Sequence, residues 1–246
     1  MIMLKDFFNQ NTLNIFTDAS MNKYGNSGCS GYCMVFGDLD KRFPLLNTRL
    51  YTRVIKNCTN NFAEAHAILD AIQGALQYKD QYPIIRIISD SQISIYGFRD
   101  RMPNWKISKK KNEEGNIGYF VGSQGQIKNQ DLFIEGLYTI TENNLSVELL
   151  HQAGHTSFSN ADALIKSGEL FKKYNNISDD FDIELLRALA FFNNYVDRNT
   201  RDVLYTADLL HMKSLFPFKY EIFEGYDRSV YTKLIHPDSI FNKENM

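Results

Sequence analysis

Asn11 to Ser20 reads NTLNIFTDAS, and the fold turns on how this stretch is read. Leu13 and Ile15 alternate with Asn14 and Phe16, which is the period of a strand, and turn-forming Asn, Gly and Ser residues follow from Asn22 to Gly28. Such a run threads the middle of a sheet and delivers Asp18 at its end. A lone strand-end aspartate most often caps a turn through its side chain. Asp18 has company, however. The run IIRIISD, from Ile84 to Asp90, ends the same way. The helix-like stretch Asn60 to Gln77 carries Glu64 in its first turn, and Asp162 lies in a later helix-like stretch.

Outward from that strand, Gly31 to Phe36 reads as a second strand and Leu45 to Ile55 as a third, giving an antiparallel meander. The period then changes. Phe62, Ala65, Ile68, Leu69, Ile72 and Leu76 fall at three- and four-residue spacing, the stripe of a helix packed on a sheet. Pro83 to Ile88 is apolar on both parities, as expected of a strand covered on both faces and paired in parallel. The sum is a mixed α/β sheet. Asn61, three residues before Glu64, spells a capping box, so Glu64 has a structural reading. Its functional reading is that a first-turn side chain on a helix crossing the sheet reaches the ends of the first and fourth strands.

Composition bounds the function classes. The 246 residues are 43% hydrophobic and 13% aromatic, enough for a real core in one large domain or a domain plus an extension. The net charge of −2 requires any attraction to phosphate to come from a local patch. Cys29, Cys33 and Cys58 make no disulfide framework and no zinc set, and read as small buried hydrophobes in a reducing compartment. No apolar stretch approaches the roughly 20 residues of a membrane span, and the N-terminus lacks a signal peptide's pattern. A soluble, cytoplasmic protein without a membrane partner is expected.

IFTDAS (15–20), TNNFAEAHAIL (59–69), SDSQISIYG (89–97), NWK (104–106), KNQDLF (128–133) and ADALIKSG (161–168) together resemble, in order and separation, the successive motifs of type 1 ribonuclease H. The resemblance covers about residues 10–170. It implies a ribonuclease H-like five-stranded mixed sheet flanked by helices, and an Asp18, Glu64, Asp90, Asp162 metal site. Clustered carboxylates raise one another's pKa values, so their joint ionisation near neutral pH needs positive charge beside them. Oxygen-only ligands favour Mg²⁺, with Mn²⁺ as a substitute, over Zn²⁺. Two such ions suit in-line displacement at phosphorus. The implied activity is endonucleolytic hydrolysis of the RNA strand of an RNA/DNA hybrid, leaving 5′-phosphate and 3′-hydroxyl ends. The alternatives are another nuclease of the same fold or a hybrid-binding module without catalysis. Proofreading exonucleases would need an acid where Ser20 stands, and integrases place their glutamate late in the chain.

The resemblance also assigns substrate contacts. Thr59 matches part of a DNA-phosphate pocket, and Asn60, Asn61 and Gln92 match polar minor-groove positions, where 2′-hydroxyls distinguish RNA. Arg99, Arg101, Lys106, Lys109, Lys110 and Lys111 surround Trp105 against the single acid Asp100. A charge run is usually a solvated face, but this one matches the family's basic protrusion, which grips the duplex backbone. One departure stands out. Bacterial members carry a catalytic histidine ten residues before the last aspartate, and here Gln152 stands there, flanked by His151 and His155. A loop of different length could bring either over the metals, and His155, in AGH where the family often has another histidine, is the one matched to the role, with His151 or no histidine as the alternatives.

Beyond about Phe171 the resemblance ends, so residues 1–172 read as the catalytic domain and 173–246 as a mainly helical extension. Asp182 to Val196 and Arg201 to Leu215 have the pattern of two amphipathic helices. The segment 171–246 holds 10 Lys and Arg against 12 Asp and Glu, whereas residues 1–170 hold 17 of each. The extension is thus the more acidic part and a poor hybrid-binding element. Its apolar stripes suggest self-association, a protein partner or cover for the catalytic domain. Cleavage is expected to survive deletion after about Asn176.

Overall fold

The computed structural model describes residues 1–22, 27–39, 44–101, 105–110, 120–122, 125–213, 221–224 and 230–233, with side chains described up to Thr206. A short helix α1 (Leu4–Phe7) leads into the meander β1 (Thr12–Met21), β2 (Ser27–Phe36) and β3 (Thr48–Lys56). Helix α2 (Asn60–Ala75), strand β4 (Ile84–Ser89) and helix α3 (Gln92–Tyr96) follow. Three short strands come next, β5 (Lys106–Ile107), β6 (Phe120–Gly122) and β7 (Gly125–Gln126), forming a small sheet of their own. Then come α4 (Gln130–Glu142), β8 (Val147–His151), α5 (Ala161–Asn175), α6 (Ile183–Lys213), β9 (Glu221–Glu224) and β10 (Val230–Lys233).

The main sheet runs β8-β4-β1-β2-β3-β10-β9. β4 is parallel to β1 and β8 parallel to β4, while the remaining neighbours are antiparallel. Its first five strands are the mixed ribonuclease H-like sheet expected from the sequence. Beyond them β10 pairs along β3 and β9 along β10, so the C-terminal region is not helical throughout. No strand period marked these segments in the sequence.

Strand parity divides the core into two. Leu13 and Ile15 face one way, with Met34, Ile85 and Ile87, and are covered by Ile68 and Ile72 of α2 and Leu132 and Phe133 of α4. Phe16 faces the other way with Cys33, Val35 and Ile88. Phe7, Phe8 and, from α6, Leu185, Leu189, Phe192 and Val196 cover that second face. The two expected amphipathic helices are one helix of 31 residues, because nothing between Ile183 and Lys213 is Gly or Pro to break it. Full burial of Leu, Val and Phe side chains is worth roughly 1.5–3 kcal/mol each. Those four α6 side chains therefore supply an amount comparable to the whole net stability of a domain. The boundary expected at 172/173 does not separate two cores, since α6 closes the sheet's second face. Among the described residues no helix is long and apolar enough to cross a membrane.

Candidate metal centre

Asp18 lies within β1, which runs on to Met21 and does not end at the aspartate as expected from the sequence, and Asp90 lies just past β4. Asp18 follows Thr17, which makes the last parallel pair with Ser89, so Asp18 and Asp90 emerge side by side where the pairing of β1 with β4 ends. Glu64 arrives from α2. The cap of that helix is Thr59, whose Oγ1 accepts from Phe62 N at 3.3 Å, so the helix starts at Asn60. Glu64 therefore lies beyond the first turn, and the capping box expected with Asn61 does not form. Its carboxylate is free to join the two aspartates instead. One oxygen from each of Asp18, Glu64 and Asp90 lies within 4.8 Å of the others.

The surroundings make three like charges costly. Burial, then the charges of Asp90 and Asp197, push the Asp18 carboxyl up to about 8; the Ala19 N–H, donating to Oδ1 at 2.7 Å, and Arg201 oppose this. Burial, followed by Asp18 and Asp90, holds Glu64 well above the usual carboxylate range, against a hydrogen bond from Asn60. Asp90 is raised by burial and by Asp197, with Asn193 and His155 opposing. Asn193 Nδ2 donates to Asp90 Oδ2 at 3.3 Å. The donor set fits a hard divalent cation: all ligand atoms are carboxylate oxygens, and Glu64 Oε2 is buried without a hydrogen-bond partner among the described residues.

Asp162 is not brought to this cluster. It is exposed in the first turn of α5, where Asn160 caps by accepting from Ala163 N at 3.1 Å. A carboxylate there is favoured by the helix dipole without any metal. The acid that the sequence reading missed is Asp197, 6% exposed on the sheet-facing side of α6, whose charge acts on Asp18, Glu64 and Asp90. No local sequence pattern singles it out, since it stands among Arg198, Asn199 and Thr200.

The histidines separate cleanly. His151 ends β8 inside the structure: Nε2 lies 3.1 Å from the Asp90 carbonyl and its ring meets Tyr174 edge-on at 4.5 Å. Burial lowers its pKa, with the Asp90 carbonyl opposing. His155 is exposed in the following loop, with φ of 52°, and its Nδ1 lies 3.5 Å from Asp197 Oδ2. Gly154 lets this loop close on the site, because a Cβ there would lie 2.3 Å from Asp90 Oδ2. Gln152 is buried, and neither amide atom has a partner among the described residues.

Of the expected substrate contacts, Thr59, Asn60 and Asn61 are exposed at the start of α2, and Gln92 at the start of α3. Lys109 and Lys110 are exposed; Lys111 lies outside the described residues. Trp105 is half-buried between Phe120 and Phe133, at 5.9 and 5.4 Å, so much of its ring serves packing. Arg99 leaves the basic set. Its guanidinium donates to the carbonyls of Leu149 and Tyr174 at 3.1 and 3.0 Å and to Asn175, tying the turn after α3 to β8 and α5.

A family model described as RNase H matches residues 10–169. Among solved structures, the chain is similar to a foamy viral protease-reverse transcriptase in complex with RNA/DNA hybrid, at 12% identity and a TM-score of 0.43. That match covers 68% of this chain and 20% of the viral one. RNase H1 from the halophilic archaeon Halobacterium salinarum NRC-1 is similar at 14% identity and a TM-score of 0.35, over 57% of this chain and 86% of that one. No curated protein matches the chain. With the family model covering well over half of its residues, and the mixed sheet and clustered carboxylates in place, the chain belongs to the RNase H family.

Proposed function

We propose that the protein is a metal-dependent endoribonuclease that hydrolyses the RNA strand of RNA/DNA hybrids and leaves 5′-phosphate and 3′-hydroxyl ends. The observation that carries this reading is the meeting of Asp18, Glu64 and Asp90 within 4.8 Å where the pairing of β1 with β4 ends, in a chain of this family. When bound, a pair of Mg²⁺ or Mn²⁺ ions neutralises the cluster and supplies the activated water and leaving-group stabilisation of an in-line displacement at phosphorus. The chain's own part is positioning. Ala19 N–H holds Asp18, Asn193 holds Asp90, Asn60 holds Glu64, and the cationic form of His155 opposes the negative charge. No protein nucleophile is needed. Asn60, Asn61 and Gln92 are offered to the 2′-hydroxyl side of the duplex, with Thr59 and the exposed Lys109 and Lys110 to phosphates.

The test is a substrate panel. RNA/DNA hybrid, RNA duplex and DNA duplex, each labelled on one strand at a time, are incubated with Mg²⁺ and the products characterised by end group. Cleavage confined to the RNA strand of the hybrid, with 5′-phosphate ends, supports the reading. Equal cleavage of DNA duplex would instead assign another nuclease activity to the same carboxylates.

A further inference from the structure

We infer that α6 completes the metal centre, with Asp197 as its fourth carboxylate in the place that sequence resemblance gives to Asp162. This rests on the metal-dependent reading above. Phe16, Asp18 and Ser20 share one side of β1 by strand parity. On that side Phe16 stacks on Phe192 at 5.1 Å while Ser20 Oγ lies 2.9 Å from Thr200 Oγ1. Asp18 is thus directed to the stretch of α6 between those two residues, and Asp197 lies within it.

The approach of α6 is close by construction. Gly31 is the β2 partner of Asp18, and a Cβ on it would lie 2.5 Å from Thr200 Cγ2, so the missing side chain is what seats the helix against Asp18. Asn193, one turn before Asp197, reaches Asp90. One helix therefore meets the surroundings of both Asp18 and Asp90 at successive turns.

The ordinary explanation of Asp197 is a helix ion pair. Arg201 Nη2 does lie 2.5 Å from Asp197 Oδ2, at i,i+4 spacing, but the Arg201 side chain is 60% exposed. Such an exposed pair adds little. It gives no reason to bury the carboxylate where it repels three others, and an acid on the helix's outer face would serve it equally. Glu64 Oε2, buried and without a hydrogen-bond partner among the described residues of this same cluster, points independently to a cation among these acids. In that setting Arg201 and His155, both on Oδ2, hold the fourth ligand in place from its outer side.

The test measures metal binding itself. Mn²⁺ affinity is determined calorimetrically for the full-length wild type and for Asp18→Asn, Asp162→Asn and Asp197→Asn, each checked by circular dichroism. Loss of a direct ligand should weaken Mn²⁺ by at least the tenfold or so typical of losing a supporting residue, so Asp197→Asn is expected to match Asp18→Asn, with Asp162→Asn within about twofold of wild type. A second measurement needs no variant. Fe²⁺ with ascorbate and peroxide cuts the backbone near bound metal, and fragments ending near residue 197 and not near 162 are expected. Wild-type-like affinity in Asp197→Asn, or cuts near 162 in place of 197, would overturn the assignment. Failure of Asp18→Asn to weaken binding would instead sink the metal reading on which it rests.

Discussion

A carboxyl pushed up to about 8 still holds its proton at a pH where its unfolded counterpart, near 3.8, has lost it. The folded, metal-free chain therefore binds more protons than the unfolded chain across that interval, so Asp18 makes stability fall as pH rises from about 4 to about 8. Glu64 and Asp90, also raised, act in the same direction. Melting temperature without metal is expected to decline through this window, and Mg²⁺ to flatten the decline. Asp18→Asn should raise the metal-free melting temperature at pH 8 while abolishing Mg²⁺-dependent cleavage. A variant that folds and still cleaves at the wild-type rate would remove Asp18 from the chemistry. His155→Ala is expected to lower turnover about 10- to 100-fold, at or below the usual range for acid–base help, with hybrid affinity little changed. His151→Ala, by contrast, removes the ring that meets the Asp90 carbonyl and should show first as reduced stability. Equal, unchanged turnover in both would show that no histidine assists. Gly154→Ala forces Asp90 or the loop to move, at about the 1–3 kcal/mol of an overpacked site, and thermal melts together with Mn²⁺ affinity would register which gives way.

At the scale of elements, the site depends on α6 more than its sequence suggested. The strand carrying Asp18 and the run ending in Asp90 were legible because strand period and an acid closing an apolar run are local signals, though β1 runs three residues beyond Asp18, and α2 was legible from its stripe. Glu64 was placed correctly on that helix but at the wrong turn, since Thr59, one residue before Asn60, takes the cap. Asp162 was read from a motif whose helix start is real, yet α5 leaves it in solvent. Asp197 had no local mark of a site, because its burial depends on how a 31-residue helix crosses a sheet whose strands are far away in sequence. Gly31→Val tests that crossing. It inserts a side chain where Thr200 sits and should cost about 1–3 kcal/mol or more of stability as α6 is displaced. An unchanged melting temperature would mean that the helix is not seated there. For the basic segment, neutralising Lys109, Lys110 and Lys111 together should weaken hybrid binding and reduce the log–log salt slope by roughly 0.9 for each phosphate that these lysines neutralise. If the slope stays the same, they form only a solvated face.

For the whole molecule, the two-layer cover of the sheet settles what the segment after Asn176 contributes. Deletion after Asn176 would bare Phe16, Cys33, Val35 and Ile88 and remove Leu185, Leu189, Phe192 and Val196 from above them. The survival of cleavage expected from the sequence is therefore reversed: the truncated chain should aggregate or unfold, and lose metal binding with the rest. The sequence could show that these apolar stripes needed a partner surface, but not that the partner was the chain's own sheet. The central claim concerns the reaction at the clustered carboxylates, and it is reached most directly by one assay: single-turnover cleavage of an RNA/DNA hybrid labelled on the RNA strand, titrated with Mg²⁺, for wild type beside Asp90→Asn. The expected result is RNA-strand products that appear with Mg²⁺, vanish with EDTA and are absent from the variant. RNA-strand cleavage that persists in EDTA, or at the wild-type rate in a folded Asp90→Asn protein, would contradict it.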